Sequence, residues 1–386
     1  MIPELSSLLK EPRTQSPAYW AAWEKTAFGP TFAAMAQTPQ DPQYHGEGDV
    51  WTHTQLVCRA LEEETRALPQ RQREILFLAA LLHDIGKVSR TRQEEGRWVS
   101  PHHSSTGARL ARRILWQEYD LCGTPEKAAF REAVCQLIRA HSVPPHAISD
   151  PDGIRKLRQI AANGSLIPDF DLRMLCTLSL ADAQGRICED GQAMQEQILL
   201  CGELAKDAGC AASPYPFPSA HTRYSYLSGK NIQPDQPLYD STWGEVILMS
   251  GLPGTGKDTW IRSHCPDLPM VSLDNIRLEL GISPTGKQNR VVDTARERAK
   301  ALLRAHQPFV WNATSISPTL RREQVDLFTA YGASVRIVYL ETPWQEQLRR
   351  NRNRSAVVPE RVICRMLENL TPPAAHEAHF VEWHCI

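Results

Sequence analysis

Through the first half of the chain, apolar residues recur at helical spacing. Ile75, Leu78, Ala79 and Leu82 fall on one stripe, which Phe77 and Leu81 widen. Amphipathic runs follow over residues 107–121, 125–141, 153–161 and 170–183. Residues 1–50 read as a helical cover ending in a loop, 38–49, rich in Pro, Gln and Gly. These patterns predict an all-α bundle over residues 1–210. Beyond residue 242 the period changes. Short β-rich runs at 246–249, 270–273, 309–312 and 335–340 alternate with helical stretches, which predicts an α/β domain over 243–386 with a parallel sheet wrapped by helices. Between the two, residues 211–242 crowd prolines and aromatics together (Ser213-Pro214-Tyr215-Pro216-Phe217-Pro218) and read as a stiff, extended surface linker.

Composition adds little to this division but narrows the setting. At 386 residues the chain is long enough for two cores. A net charge of −1 provides no global field to recruit nucleic acid, so any such binding must come from local basic patches. Ten cysteines without CxxC spacing fit reduced thiols better than a disulfide framework or a zinc ribbon. Neither a signal-peptide core nor a membrane span is legible, so a soluble, cytoplasmic protein is expected.

The most chemically explicit stretch is Gly251-Leu252-Pro253-Gly254-Thr255-Gly256-Lys257-Asp258-Thr259, set between an apolar strand and a helical continuation. Strand, glycine-rich turn, lysine and helix form a phosphate-cradling P-loop. Its backbone N–H groups and helix N-terminus face a polyphosphate, and Lys257 adds a full charge. ATP or another nucleoside triphosphate is the expected ligand, with Mg2+. The residue after the lysine, usually a Ser or Thr that ligates magnesium, is Asp258, which leaves the direct metal ligand open. The pattern resembles small-molecule and polynucleotide kinases more than GTPases or motor ATPases.

The N-terminal half holds His53, His83-Asp84, His102-His103, His141 and Asp182. Imidazole and carboxylate suit divalent transition metals, and a helical bundle can aim ligands from several helices at one point. His83-Asp84 closes one apolar helix and Asp182 ends another apolar run, where a lone charge is costly without a partner. Leu81-Leu82-His83-Asp84-Ile85-Gly86-Lys87, with a distant His before and a distant Asp after, resembles the HD phosphohydrolase superfamily. The resemblance implies that His53, His83, Asp84 and Asp182 hold one metal, and that His103 and His141 complete a second site. His102 is the alternative to His103, while His45 and His146 read as supporting or surface residues. Lys87 and Arg186 are candidates to grip phosphate oxygens, or else ordinary surface cations. The implied chemistry is phosphomonoester or phosphodiester hydrolysis; an iron oxygenase is the minority outcome on that scaffold.

Downstream of the P-loop, Asp274 and Arg277 lie just past a strand, where ligands bind in open α/β sheets. Asp274 is either a general base for an attacking hydroxyl or a helix cap, and Arg277 either an acceptor-phosphate ligand or its i,i+3 neighbour. Asn312 stands at a strand end where many P-loop proteins carry an acid. Arg350 and Arg354, four apart in a basic run, are candidates for one face that grips the transferring phosphate.

In this order the segments look like the kinase domain of phage polynucleotide 5′-kinase and its bacterial relatives. That resemblance implies Lys257 at the donor phosphates, Asp274 as general base, Arg277 on the acceptor phosphate, and Arg350 and Arg354 as lid arginines. The whole chain resembles the bacterial HD-Pnk family, in which an HD phosphohydrolase is fused to such a kinase. The fusion implies healing of RNA or DNA ends: removal of a 2′,3′-cyclic or 2′/3′-phosphate and phosphorylation of a 5′-hydroxyl, ahead of a ligase. Two alternatives stand beside it. One is a nucleotide or second-messenger phosphohydrolase joined to a small-molecule kinase. The other is an HD hydrolase gated by a non-catalytic ATP switch.

Overall fold

A computed structural model of the protein describes residues 3–283, 286–354 and 357–386. It divides into two compact units, Met1–Cys122 with Glu126–Pro216, and Gly123–Pro125 with Phe217–Ile386.

The first unit is helical. It comprises α1 (Pro3–Lys10), α2 (Pro17–Trp23), α3 (Gly29–Met35), α4 (Val50–Glu64), α5 (Gln70–Leu82), the short α6 (Lys87–Arg90), α7 (His103–Gln117), α8 (Pro125–Ala140), α9 (Gly153–Ala162), α10 (Leu172–Gln184) and α11 (Gly191–Asp207). Every residue of α5 from Glu74 to Leu82 is buried, so this helix is the axis of the bundle, sheathed by α4 and α10. Both sheathing helices start at an aspartate cap. Asp49 accepts from the Trp51 and Thr52 N–H groups and Asp171 from that of Met174, each at 2.9 Å. The N-terminal cover is held by aromatic packing, with Phe32 stacked on Trp51 at 4.6 Å and Tyr19 edge-on to Phe77 at 6.1 Å.

Between α7 and α8, Glu132 is clamped by two guanidiniums. Arg112 reaches its oxygens at 2.8 and 2.7 Å and Arg131 at 2.7 Å, all three residues being buried. Burial raises the Glu132 carboxyl, yet the two arginines outweigh it and bring the group down to about 2.

The unit is not the purely α bundle that the periodicity predicts. A two-stranded antiparallel hairpin, β1 (Arg92–Glu94) and β2 (Arg97–Val99), interrupts it. Glu95 and Gly96 both have positive φ (51° and 78°), which suits a tight two-residue turn; with only three residues per strand no alternation is visible in sequence.

The second unit contains α12 (Ala220–Leu227), β3 (Glu245–Ser250), α13 (Lys257–His264), β4 (Met270–Ser272), α14 (Leu273–Glu279), α15 (Asn289–Arg304), β5 (Phe309–Asn312), α16 (Pro318–Ala330), β6 (Ser334–Glu341), α17 (Trp344–Arg352), α18 (Glu360–Asn369) and β7 (Phe380–Cys385). The sheet is parallel throughout, in the order β4-β5-β3-β6-β7. Alternation along β3 sends Val246 and Leu248 into a core with α15 and α16, and Ile247 and Met249 into one with Ile261 of α13. The strand order puts β3 at the centre, so the turn after it opens at the carboxyl edge of the sheet.

Two features differ from the sequence pattern. The stretch read as extended linker contains α12, capped by Ser219, whose hydroxyl accepts from the Thr222 N–H; Tyr224 of this helix is buried in the sheet's core. The fifth strand, β7, was hidden because it is a half-exposed edge in which Glu382 and His384 alternate with apolar residues. Among the described residues no helix is long and apolar enough to cross a membrane.

Candidate metal centre and nucleotide site

The first site forms where α4, the end of α5, the start of α7, the end of α8 and the end of α10 meet. His53, His83, Asp84, His141 and Asp182 are all buried there, and His103 is half-buried. Asp84 is the hub. Its Oδ2 lies 3.2 Å from His83 Nε2 and 3.9 Å from His53 Nε2; its Oδ1 lies 3.3 Å from His103 Nε2 and 4.0 Å from His141 Nε2. Asp182 Oδ1 stands 3.0 Å from His53 Nε2 and 3.9 Å from His83 Nε2. The donors thus fall into two groups that share Asp84, one with His53 and His83 and one with His103 and His141.

Tautomers are set by the backbone. His83, His103 and His141 each place Nδ1 2.7–2.8 Å from the carbonyl three residues earlier, of Ala80, Ser100 and Ile138 respectively. Each Nδ1 therefore carries the proton and each Nε2 offers its lone pair to the centre. His53 is held differently. Its Nδ1 lies 2.8 Å from Oε1 of Glu47, which is also 2.8 Å from His45 Nδ1. The other Glu47 oxygen accepts from the Ile187 N–H at 3.0 Å, so the loop before α4 is laced to the chain just after Asp182.

Electrostatics agree with a cation-seeking cluster. Burial opposes the charge on Asp84, but His83 and Lys87 hold its carboxyl well below the usual range. Burial likewise opposes the charge on Asp182, and Arg186 with His53 more than compensates. Burial pushes His141 down to about 3 and also lowers His103, which leaves both neutral and ligand-competent. His83 Nε2 and Asp84 Oδ1 are buried without a hydrogen-bond partner, a costly arrangement that an ion would relieve. The residues present therefore fit a divalent cation.

A cavity of about 240 Å³ opens over this cluster, lined by Asp84, His103, His141, Lys87, Arg186 and Trp98 among others. Lys87 Nζ lies 2.7 Å from Asp84 Oδ2 and donates to Gln40 Oε1 at 2.7 Å; Arg186 pairs with Asp182 at 2.8 Å. Both cations thus border the cavity while anchored by the Asp84 and Asp182 carboxylates. His102, with φ 60°, is exposed at the start of α7, and His146 is exposed. His45 is buried and packs edge-on against His53 at 4.8 Å. Glu47, Gln40 and Trp98 were not singled out by sequence pattern. The weak signal was a carboxylate six residues before His53, between glycines in a loop.

Gly86 explains the glycine of the His-Asp-Ile-Gly segment. A Cβ there would lie 2.1 Å from the His103 carbonyl oxygen and 2.6 Å from the Gly107 nitrogen, so only glycine lets α7 approach closely enough to bring His103 to Asp84.

In the second unit the P-loop joins β3 to α13. Gly251, Gly254 and Gly256 have φ of 141°, 85° and 89°, conformations that favour glycine. Pro253, Thr255 and the glycines form the cradle, and the Thr255 hydroxyl donates to Leu252 O at 2.9 Å. Lys257 Nζ donates to the Gly251 and Leu252 carbonyls at 2.8 and 2.9 Å, and burial lowers its ammonium to about 8. Asp258 and Thr259 are exposed in the first turn of α13. Asn312 donates to Asp258 Oδ1 at 2.6 Å. The carboxylate expected at the β5 end is thus found across the cleft, on the helix, paired with an amide that takes its usual place.

Asp274 does not cap α14. Ser272 does, accepting from the Asn275 N–H at 3.3 Å. The Asp274 carboxylate is mostly exposed, accepts from Arg277 Nη1 and lies 3.5 Å from Arg354 Nη2, and its charge together with that of Arg354 acts on Lys257. Arg277 also donates to Gln288 Oε1 at 2.9 Å. Arg350 and Arg354 do not share a helix face: α17 ends at Arg352, and Arg354 lies past the cap. The Asn351 side-chain amide exchanges bonds of 2.8 and 3.1 Å with the Val358 backbone. Arg350 pairs with Glu346 at 2.6 Å, and its Nη1 reaches within 3.6 Å of where a Cβ on Gly256 would stand. Gln347 donates to Pro253 O at 3.0 Å, so α17 lies over the P-loop.

Comparison with known families agrees with this geometry. Residues 50–166 match a family model described as an HD domain, and residues 246–373 match one described as an AAA domain. The chain therefore carries a helical HD domain and a kinase-like P-loop α/β domain, the pairing of a hydrolase with a kinase. The HD match ends before Asp182, which joins the cluster through the packing of α10.

Proposed function

We propose that the protein repairs broken nucleic-acid ends, removing a 2′,3′-cyclic or 2′/3′-phosphate at the HD site and phosphorylating a 5′-hydroxyl from ATP at the P-loop site. The observation that carries this is the placement of Asp274: free of any capping duty, gripped by Arg277 and Arg354, and within the field of Lys257. A carboxylate so placed suits an attacking sugar hydroxyl, with Arg277 on the phosphate next to it. Transesterified RNA presents both chemistries at once, a blocked 3′ side and an unphosphorylated 5′ side, and a ligase needs the reverse.

At the HD site His53, His83, Asp84 and Asp182 would hold one divalent ion, with His103 and His141 on a second that shares Asp84. Such an ion supplies a water acidified toward neutral pH and positive charge beside the phosphate. The chain's own contribution is orientation. The Ala80, Ser100 and Ile138 carbonyls and the Glu47 carboxylate fix the imidazoles, while Lys87 and Arg186 face the cavity to receive phosphate oxygens. At the kinase site Lys257 must leave the loop carbonyls for the donor phosphates, with Arg350 and Arg354 closing from α17 and the segment after it. The oxygens of the paired Asp258 and Asn312 side chains would suit Mg2+ beside the donor phosphates.

The test is an RNA with a 5′-hydroxyl and a 2′,3′-cyclic phosphate, incubated with ATP and divalent metals, with both termini identified. Asp84→Ala should abolish phosphate removal and spare 5′ phosphorylation; Lys257→Ala and Asp274→Ala should do the reverse. A single substitution that silences both reactions in folded protein overturns the two-site scheme. Preference for free nucleosides over oligomers as acceptors overturns the polynucleotide assignment.

A further inference from the structure

The β1–β2 hairpin carries Trp98 into the wall of the HD cavity, and Tyr44 enters the same wall from the loop before α4. These rings are unusual for this protein. Trp20, Trp23, Trp51, Trp243, Trp260, Trp311 and Trp383 all make ring–ring contacts, Trp116 lies under Arg131, and Trp344 is buried. Trp98 is half-buried, and among the described residues it has neither a ring contact nor a hydrogen bond from its indole nitrogen. The Tyr44 ring is likewise without a partner and is 38% exposed. Two aromatic surfaces therefore border a cavity that is also lined by the imidazoles of His103 and His141, the Asp84 carboxylate, and the cations of Lys87 and Arg186. Charged groups suffice to hold a phosphate; unpartnered aromatic faces beside them suit a flat, apolar-faced group attached to that phosphate.

We propose that Trp98, with Tyr44, is a stacking platform for the nucleobase of the terminal nucleotide whose phosphate enters the HD site. Every base has a π-face, so such a platform reads the presence of a base without selecting its sequence, which is what an enzyme acting on arbitrary broken ends requires. The two-residue turn at Glu95–Gly96 closes one end of the hairpin, and a bond of 2.8 Å between the Thr91 and Ser100 hydroxyls ties the other. The assignment rests on the proposed action at nucleic-acid ends, and its test is chosen to separate the two.

The probe is a 3′-phosphorylated oligomer bearing either 2-aminopurine or an abasic sugar at its terminal nucleotide. Binding is read from 2-aminopurine emission and turnover from released phosphate. The native protein should quench the emission and show a KM roughly five- to a hundredfold lower for the base-bearing oligomer than for the abasic one. Trp98→Ala should remove the quenching and erase that KM difference, and Trp98→Phe should restore part of both. Turnover of the base-bearing oligomer without quenching, or with equal KM for the two oligomers, overturns the platform and leaves end processing standing. Quenching that depends on Trp98 without phosphate release supports the platform and counts against end processing. Neither quenching nor release overturns both.

Discussion

Glu47 Oε1 lies 2.8 Å from His53 Nδ1, so a carboxylate stands beside that imidazole where backbone carbonyls hold the other three. The difference matters because a side chain is removable and a carbonyl is not. Glu47→Gln keeps the volume but replaces a charged acceptor with an amide. Partners of this kind are worth about ten- to a hundredfold in metal affinity. Metal content after dialysis against graded chelator should fall in that range, and an unchanged affinity would refute the orienting role.

Gly86 predicts a more selective defect. In Gly86→Ala the new methyl group would meet the His103 carbonyl oxygen and force α7 away from α6. The displaced ligand is His103, not His53 or His83. Titration of the variant should therefore show loss of one metal equivalent with the other retained, at a stability cost of about 1–3 kcal/mol.

Glu132 links the helix that begins at His103 to the helix that precedes His141. Its folded-state pKa, about 2, lies below the ordinary value of 4.5. The sign follows: the stabilisation is complete above pH 4.5 and is lost as pH falls toward 2. Glu132→Ala leaves two buried guanidiniums without their carboxylate and should cost about 3–5 kcal/mol in denaturant melts at neutral pH. The acid sensitivity of the variant should be correspondingly shallower.

Lys257 shows the opposite case. Burial lowers its ammonium from 10.5 to about 8, so the folded protein binds fewer protons than the unfolded chain between those values. Its contribution to stability therefore rises with pH from 8 to 10.5, while its positive charge, needed at the phosphates, is lost. ATP affinity should weaken above pH 8, approaching tenfold per unit, in calorimetric titrations of the native protein. Lys257→Arg should flatten that dependence, since guanidinium stays charged.

At the acceptor side, Asp274→Ala should lower kcat for phosphoryl transfer about a hundred- to ten-thousandfold, with a much smaller effect on ATP binding. Equal losses in both would reassign Asp274 to holding the P-loop.

Much of this was legible in the chain. Four of the five strands of the parallel sheet and the long helices of the bundle declare themselves through period, because each has one strongly apolar face or two. His83-Asp84 and Asp182 are conspicuous because charged residues end buried helices. What escaped depends on tertiary closure. Glu47 acquires meaning only when the loop at 38–49, pinned by the Pro39–Asp49 bridge, brings it beside His53. Trp98 matters only because a three-residue strand turns it toward the cavity. Arg350 and Arg354 illustrate the reverse error: spacing of four suggests a shared face, but α17 ends at Arg352, between them.

The hold of backbone carbonyls three residues back on His83, His103 and His141 carries a practical corollary. Because the chain itself aims these three Nε2 lone pairs inward, a divalent ion arriving there would meet donors already in order.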